Sequence, residues 1–348
     1  MARPRKNIAA MKEYKPPLSG RTDRSHILLD FNERTVQNKP VIKALRKFLR
    51  KNDVRSYPEY HDLNKKISFY AKTKPENVLA TNGSSEAIDL IIRAFVEKKD
   101  EAVILEPSFA MFSQFLQAQG AKIRKISYNE DMTFPFQKLA ESINSKTKLV
   151  VIASPNNPNG TTLSREEIIG ILEKNKNTAV LIDEAYYEFS GITCADLIEK
   201  YQNLFVVRTF SKAFGMAGLR AGYAVSNQKN IRQLMKIKSP YSLNVFAAAA
   251  INAALSDLYS VKKYTSQVMN KSKLKIEAFL AKNNIIFYPS RANFILTKPK
   301  NPQKAYGYLK ENGILTRPVS DFLRITVGTV KEARKLIRIM KRNISAFR

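Results

Sequence analysis

Three short polar segments, each following an apolar run, carry the side chains that could do chemistry. Asn157 lies in SPNNPNG after LVVIA, Asp183 and Tyr186 lie in DEAY after AVLI, and Ser211 and Lys212 lie in TFSKAFGMAGLR after LFVV. Each is weak alone, since an aspartate at a strand end is commonly a cap, NNPNG reads as a turn, and Ser-Lys pairs also occur at Ser145–Lys146 and Ser272–Lys273. Position separates them. Only the pair at 211 follows a buried-strand pattern and precedes a glycine-spaced basic element ending at Arg220, eight residues past the lysine. A lysine amine that forms a Schiff base with an aldehyde, a carboxylate that keeps a pyridine nitrogen protonated, and an arginine with hydroxyls and N–H groups around a phosphate are what pyridoxal 5′-phosphate chemistry requires.

Such groups must be held by a rigid frame, and the chain supplies its rhythm. From residue 76 to about 225, short β-branched runs alternate with amphipathic stretches in a βαβ order. Ile88, Ile91, Ile92 and Phe95 share one helical face, and Ser164 with Glu167 forms a capping box ahead of another helix. The pattern predicts a mostly parallel sheet with helices on both faces, where ligands sit beyond the carboxyl ends of the strands. Residues 228–283 read as helices, and NIIFYPS, ANFILTKP, GILTRPVS and FLRITVGT read as strands of a smaller α+β unit closed by KEARKLIRIMKR. The stretch Pro40–Leu49 has helical spacing outside the main rhythm and could pack with either unit.

The 348 residues carry 59 Lys+Arg against 30 Asp+Glu, a formal charge of +29, with 44% hydrophobic residues. That apolar content supports a folded core and argues against a disordered polycation. Cys194 is the only cysteine and His26 and His61 are the only histidines, so no internal disulfide and no cysteine- or histidine-rich metal centre is expected. The N-terminus lacks an apolar signal core, and the longest apolar run, Val245 to Leu255, is broken by Asn252. The reading is a cytoplasmic enzyme with no membrane association. A nucleic-acid-binding protein is the alternative from another class, but the lysines are scattered and aromatic RNA-module patterns are absent.

From about Leu29 to Thr329 the chain resembles a fold-type I pyridoxal-phosphate aminotransferase and is most similar to the histidinol-phosphate aminotransferases. The resemblance rests on YPEY, NGSSEAIDLIIRAF, SPNNPNGT, DEAYYEF, RTFSKAFGMAGLRAGY, ANFIL and LRITVGT. It implies an α/β fold with a mostly parallel seven-stranded large domain and a smaller α+β domain. The expected boundaries are 1–50 for an N-terminal arm with part of the small domain, 51–245 for the large domain and 246–348 for the small one. It implies Lys212 as the Schiff-base lysine, Asp183 on the pyridine nitrogen, and Asn157 and Tyr186 on the ring 3-oxygen. Ser84, Ser85, Ser211 and Arg220 would hold the phosphate, Phe109 would stack on the ring, and Tyr57 would reach the phosphate of a neighbouring subunit. A homodimer with shared sites follows, using an amino donor and a 2-oxo acid acceptor.

In the family an arginine of GI-x-x-R and the arginine of LRITVGT clamp the substrate's anionic end, which implies Arg317 and Arg324 here, with Asn157 beside them. Three departures bear on the substrate. The stretch PVSDF between the arginines is short, Pro17 stands where the family has a tyrosine, and Asn32-Glu33-Arg34-Thr35 replaces the NENP turn. The expected reaction is amino transfer between histidinol phosphate and 2-oxoglutarate. An aminotransferase for another amino acid and a threonine-phosphate decarboxylase are the alternatives within the fold.

Overall fold

The computed structural model describes residues 2–16, 18, 21, 25–51 and 54–348. Pro17 lies outside the described residues, as do Ser19 and Gly20 of the same segment. The strands are β1 (Ile27–Leu28), β2 (Val78–Thr81), β3 (Glu101–Glu106), β4 (Lys122–Ser127), β5 (Thr147–Ala153), β6 (Ala179–Asp183), β7 (Leu204–Thr209), β8 (Gly222–Val225), β9 (Phe287–Tyr288), β10 (Phe294–Thr297), β11 (Ile314–Leu315), β12 (Arg317–Val319) and β13 (Phe322–Thr326). Seven of them form one sheet in the order β2-β8-β7-β6-β5-β3-β4. It is parallel except at β8, which runs antiparallel to both β7 and β2.

The predicted helices and strands of residues 76–225 are present, and the capping box of Ser164 and Glu167 opens helix Arg165–Lys174. Alternation along each strand divides the core in two. In β5, Val150 and Ile152 join one apolar cluster while Leu149, Val151 and Ala153 join the other, and Val206 and Val207 of β7 split in the same way. Apolar side chains on both faces are what a parallel sheet covered by helices requires. Helix Gly83–Phe95 buries Ala87, Ile88, Leu90, Ile91 and Ile92 against the second cluster.

A second sheet, β12-β13-β10-β9, is antiparallel, and β1 pairs in parallel with β11. The N-terminal segment is thereby tied to the smaller unit before the chain enters the large sheet. Helix Lys39–Lys51, which sequence leaves unplaced, packs on helix Val245–Ser256. No helix among the described residues is long and apolar enough to cross a membrane.

One ion pair is buried beneath the sheet's functional edge. Arg208 of β7 donates from Nε to Glu184 Oε2 (2.9 Å) and from Nη2 to Thr193 Oγ1 (2.6 Å), and its guanidinium lies 3.6 Å from the Tyr187 ring centroid. Glu184 Oε1 accepts the Cys194 N–H (2.8 Å). Both partners are about 2% exposed. Glu184 follows Asp183 directly, so this pair fixes the chain as it leaves β6. Arg208→Met would leave the Glu184 carboxylate without its cation. Loss of one partner of a buried pair typically costs about 3–5 kcal/mol. Urea denaturation should show a loss of that order, with much of it recovered in Arg208→Met/Glu184→Gln; an unchanged midpoint in the single variant would refute a structural role.

Candidate active site

The carboxyl ends of β5, β6 and β7 open on one cavity of about 380 Å³. Ser84, Ser85, Phe109, Asn157, Asp183, Tyr186, Ser211, Lys212 and Arg220 all line it. The convergence expected from sequence is therefore present in three dimensions. Asn157 comes from the loop after β5, Asp183 ends β6, and Ser211 and Lys212 follow β7.

The anion-binding end is built by close backbone approach. A Cβ on Gly222 would lie 2.4 Å from Ser84 N and 2.5 Å from Gly83 C, so glycine alone lets β8 abut the first turn of helix Gly83–Phe95. Gly83 has φ +75° and its open side faces Arg220, whose Nη2 would lie 2.7 Å from an added Cβ. The helix cap, Asn82, makes no side-chain capping bond, which leaves the helix's leading N–H groups for an anion. Thr209 Oγ1 accepts the Ser211 N–H (3.1 Å) and donates to Ser211 Oγ (3.0 Å), fixing that serine beside them.

At the other end, Asp183 Oδ1 accepts the Ala185 N–H (3.0 Å), and the carboxylate has no ion pair among the described residues. Burial pushes its pKa up to about 7, against an ordinary value of 3.8. In the protein without cofactor its ionisation therefore costs stability, which falls as pH rises from about 4 to about 7. Lys212 Nζ donates to Phe31 O (2.8 Å). Burial, with Arg324 adding repulsion, pulls its amine down to about 8. Tyr186 packs edge-on against Phe294 at 5.1 Å and accepts a hydrogen bond from Asn32 Nδ2 (2.9 Å). Burial raises its phenol pKa.

The chain belongs to the class I and II aminotransferases. The family model matches residues 26–340. A histidinol-phosphate aminotransferase from Caldanaerobacter subterraneus is 37% identical over 316 residues, 88% of this chain and 89% of that one. A dihydroxyacetone phosphate transaminase from Campylobacter jejuni is 34% identical over 344 residues, 93% of this chain and 92% of that one. A Sinorhizobium meliloti histidinol-phosphate aminotransferase, solved with pyridoxal-5′-phosphate, shares the fold with a TM-score of 0.88 over 98% of both chains at 22% identity. This aminotransferase accordingly uses pyridoxal phosphate.

The residues present fit that cofactor. A helix N-terminus, Arg220 and Ser211 form an anion cradle that a Cβ at Gly83 would fill, and Asp183 is a buried carboxylate lacking a cation, which a protonated pyridine nitrogen supplies.

Three expected site residues lie apart from the cavity lining. Tyr57 is 74% exposed and stacks on Tyr241 with centroids 4.0 Å apart. Arg324 is buried; it donates from Nη1 to Asn157 Oδ1 and from Nη2 to Asp30 O. Its Nε is buried and unpartnered among the described residues. Arg317 stands directly opposite Arg324 across the β12–β13 hairpin, so the short PVSDF stretch is a tight turn at Ser320-Asp321.

One wall is formed by residues that were not among the site residues expected from sequence. Leu18, Arg21, Phe31 and Glu33 line the cavity, with Arg21 ion-paired to Asp30 and Glu33 and its guanidinium 4.4 Å from the Phe31 ring. Leu18 and Arg21 precede the two-residue β1 and Phe31 and Glu33 follow it, and polar residues after a strand were the signal elsewhere.

The depressed Lys212 amine has a direct readout. In the apoprotein, the rate at which an amine-acylating reagent modifies Lys212, followed by peptide mapping, should rise with a midpoint near 8. Exposed lysines titrate near about 10.4. A Lys212 midpoint in that higher range would contradict the desolvated environment.

Proposed function

We propose that this aminotransferase exchanges the amino group between histidinol phosphate and 2-oxoglutarate in histidine biosynthesis, as a cytoplasmic homodimer. The observation that carries the substrate is the arginine pair. Two guanidinium groups on directly opposed positions of β12 and β13 repel one another, and the inner one has a buried N–H without a partner among the described residues. An anion bound between them relieves both costs. A phosphate dianion can engage two guanidinium forks, whereas one carboxylate is satisfied by one. The named relatives from Caldanaerobacter and Campylobacter act, by their names, on phosphorylated substrates, which supports the same reading.

When bound, pyridoxal phosphate supplies an aldehyde for amine exchange and an electron-accepting ring. In this reading Arg220, Ser211 and the Ser84 and Ser85 N–H groups grip its phosphate, and Phe109 covers the ring face. Asp183 holds the pyridine nitrogen protonated, while Asn157 and Tyr186 bond the 3-oxygen. Lys212 would hold the aldehyde covalently and, once freed by the incoming amine, would act as base. With a depressed pKa, its Nζ is suited to take the proton from the substrate α-carbon and to give it back. Arg324, held by Asn157 and Asp30, fixes the anionic end of either substrate, and Arg317 adds the second fork for a phosphate. We assign residues 1–50 to the arm and small domain, 51–245 to the large domain and 246–348 to the small domain.

Arg317→Ala should raise KM for histidinol phosphate by about 10- to 100-fold, the equivalent of one hydrogen bond to a charged group, and change KM for glutamate much less. Equal effects on both, or equal kinetics of the parent enzyme with histidinol and its phosphate, would remove the phosphate from the argument.

The exposed Tyr57–Tyr241 stack supports a dimer in which Tyr57 completes the partner's site. Mixing inactive Lys212→Ala with an inactive Tyr57→Ala protein should restore activity, since a hybrid dimer contains one site with both residues intact. No recovery under proven subunit exchange means self-contained sites.

A further inference from the structure

Asn32 is buried, and each of its hydrogen-bonding groups has a partner that fixes its direction. Its backbone is left-handed, with φ 57°. Its peptide N–H donates to Thr326 Oγ1 (3.0 Å), its carbonyl accepts from Asn293 Nδ2 (3.1 Å), and the preceding carbonyl, Phe31 O, accepts from Lys212 Nζ. The Thr326 hydroxyl has one proton to give. That proton has one acceptor among the described residues, Asn32 Oδ1, 3.0 Å away. The amide is thereby oriented with its oxygen toward Thr326 and its nitrogen toward Tyr186 Oη, at 2.9 Å. An amide NH₂ only donates, so the Tyr186 oxygen receives and its own proton must go elsewhere.

We propose that Asn32, locked by Thr326, is a positioning residue that keeps the Tyr186 hydroxyl donating into the cavity, toward the cofactor's 3-oxygen. The inference rests on the placement of Tyr186 beside that oxygen. Other charged groups acting on Tyr186 are Arg324, Asp183 and Lys212, and none of them orders its proton as the amide does. A donor held in this direction stabilises the ionised 3-oxygen and lowers the pH at which the Lys212-linked chromophore loses its proton. A residue that merely packs leaves that midpoint alone.

The test is a pH titration of the visible absorbance of the holoenzyme. Tyr186→Phe should raise the midpoint. Asn32→Asp replaces the donor by an acceptor that turns the phenolic proton away, and should raise it by about one unit or more, a tenfold change in the equilibrium. Thr326→Val, which frees the amide to turn, should shift it in the same direction by less, and Thr326→Ser should restore the parent value. In a Tyr186→Phe background, Asn32→Asp should lose most of its effect. If Asn32→Asp fails to retain cofactor, the Thr326 pair carries the test. Parent-like midpoints in Thr326→Val and Asn32→Asp, with Tyr186→Phe shifted, would overturn the inference alone, as would a full Asn32→Asp shift without the Tyr186 hydroxyl. An unshifted Tyr186→Phe would instead overturn the placement of Tyr186, and the inference with it.

Discussion

Asp183 sits at the carboxyl end of a buried parallel strand, where loss of water raises its pKa to about 7 and creates a demand for a nearby cation if it is to be ionised. Much of the surrounding structure follows from that demand. The strand must end there, so the chain turns sharply and Glu184 is pulled to the opposite face by Arg208. Lys212, which lies close enough to lower the Asp183 pKa, is itself desolvated and repelled by Arg324, so its charge is a costly counter-ion for that carboxylate. The cavity thus contains an acid and an amine whose pKa values burial has drawn toward one another, in a volume suited to a ring that needs both.

The large sheet was legible because its signals are long and local. A run such as LVVIA or AVLID is buried on both faces, and residues that follow it fall at one edge by topology alone. Lys212 stood apart from two other Ser-Lys pairs for the same reason: it alone follows such a run. The helix at Lys39–Lys51 was also readable, but its partner was not, since an amphipathic face says that something covers it and not what.

The wall formed by Arg21, Phe31 and Glu33 stayed hidden because its ion pairs join loop residues without any periodic pattern, and the hub at Asn32 because it depends on contacts between residues nearly three hundred positions apart. Asn32 meets Thr326, and Asp30 O meets Arg324. Strand β1 is two residues long and pairs with β11, so it leaves no periodic trace to mark its end. Local pattern reports secondary structure and burial; it is silent on which distant hydroxyl orders an amide. The departure from the NENP turn was visible in the sequence, and its significance was not, because Arg34 acts through Ala213 O and the Tyr264 ring rather than through any neighbour in the chain.

That the two arginines are carried by the smaller sheet and not by the large one has an evolutionary consequence. On the large sheet the anion-binding end of the cavity is fixed by backbone packed on backbone, at Gly222 against Ser84 and Gly83. Arg317 and Arg324 instead ride on a hairpin whose turn is Ser320-Asp321, both exposed. Insertions in an exposed turn disturb little of a fold. If the two arginines hold the substrate's anionic end as proposed, selection can lengthen or recharge that turn and change which molecules are admitted, while the cavity walls built on the large sheet stay as they are.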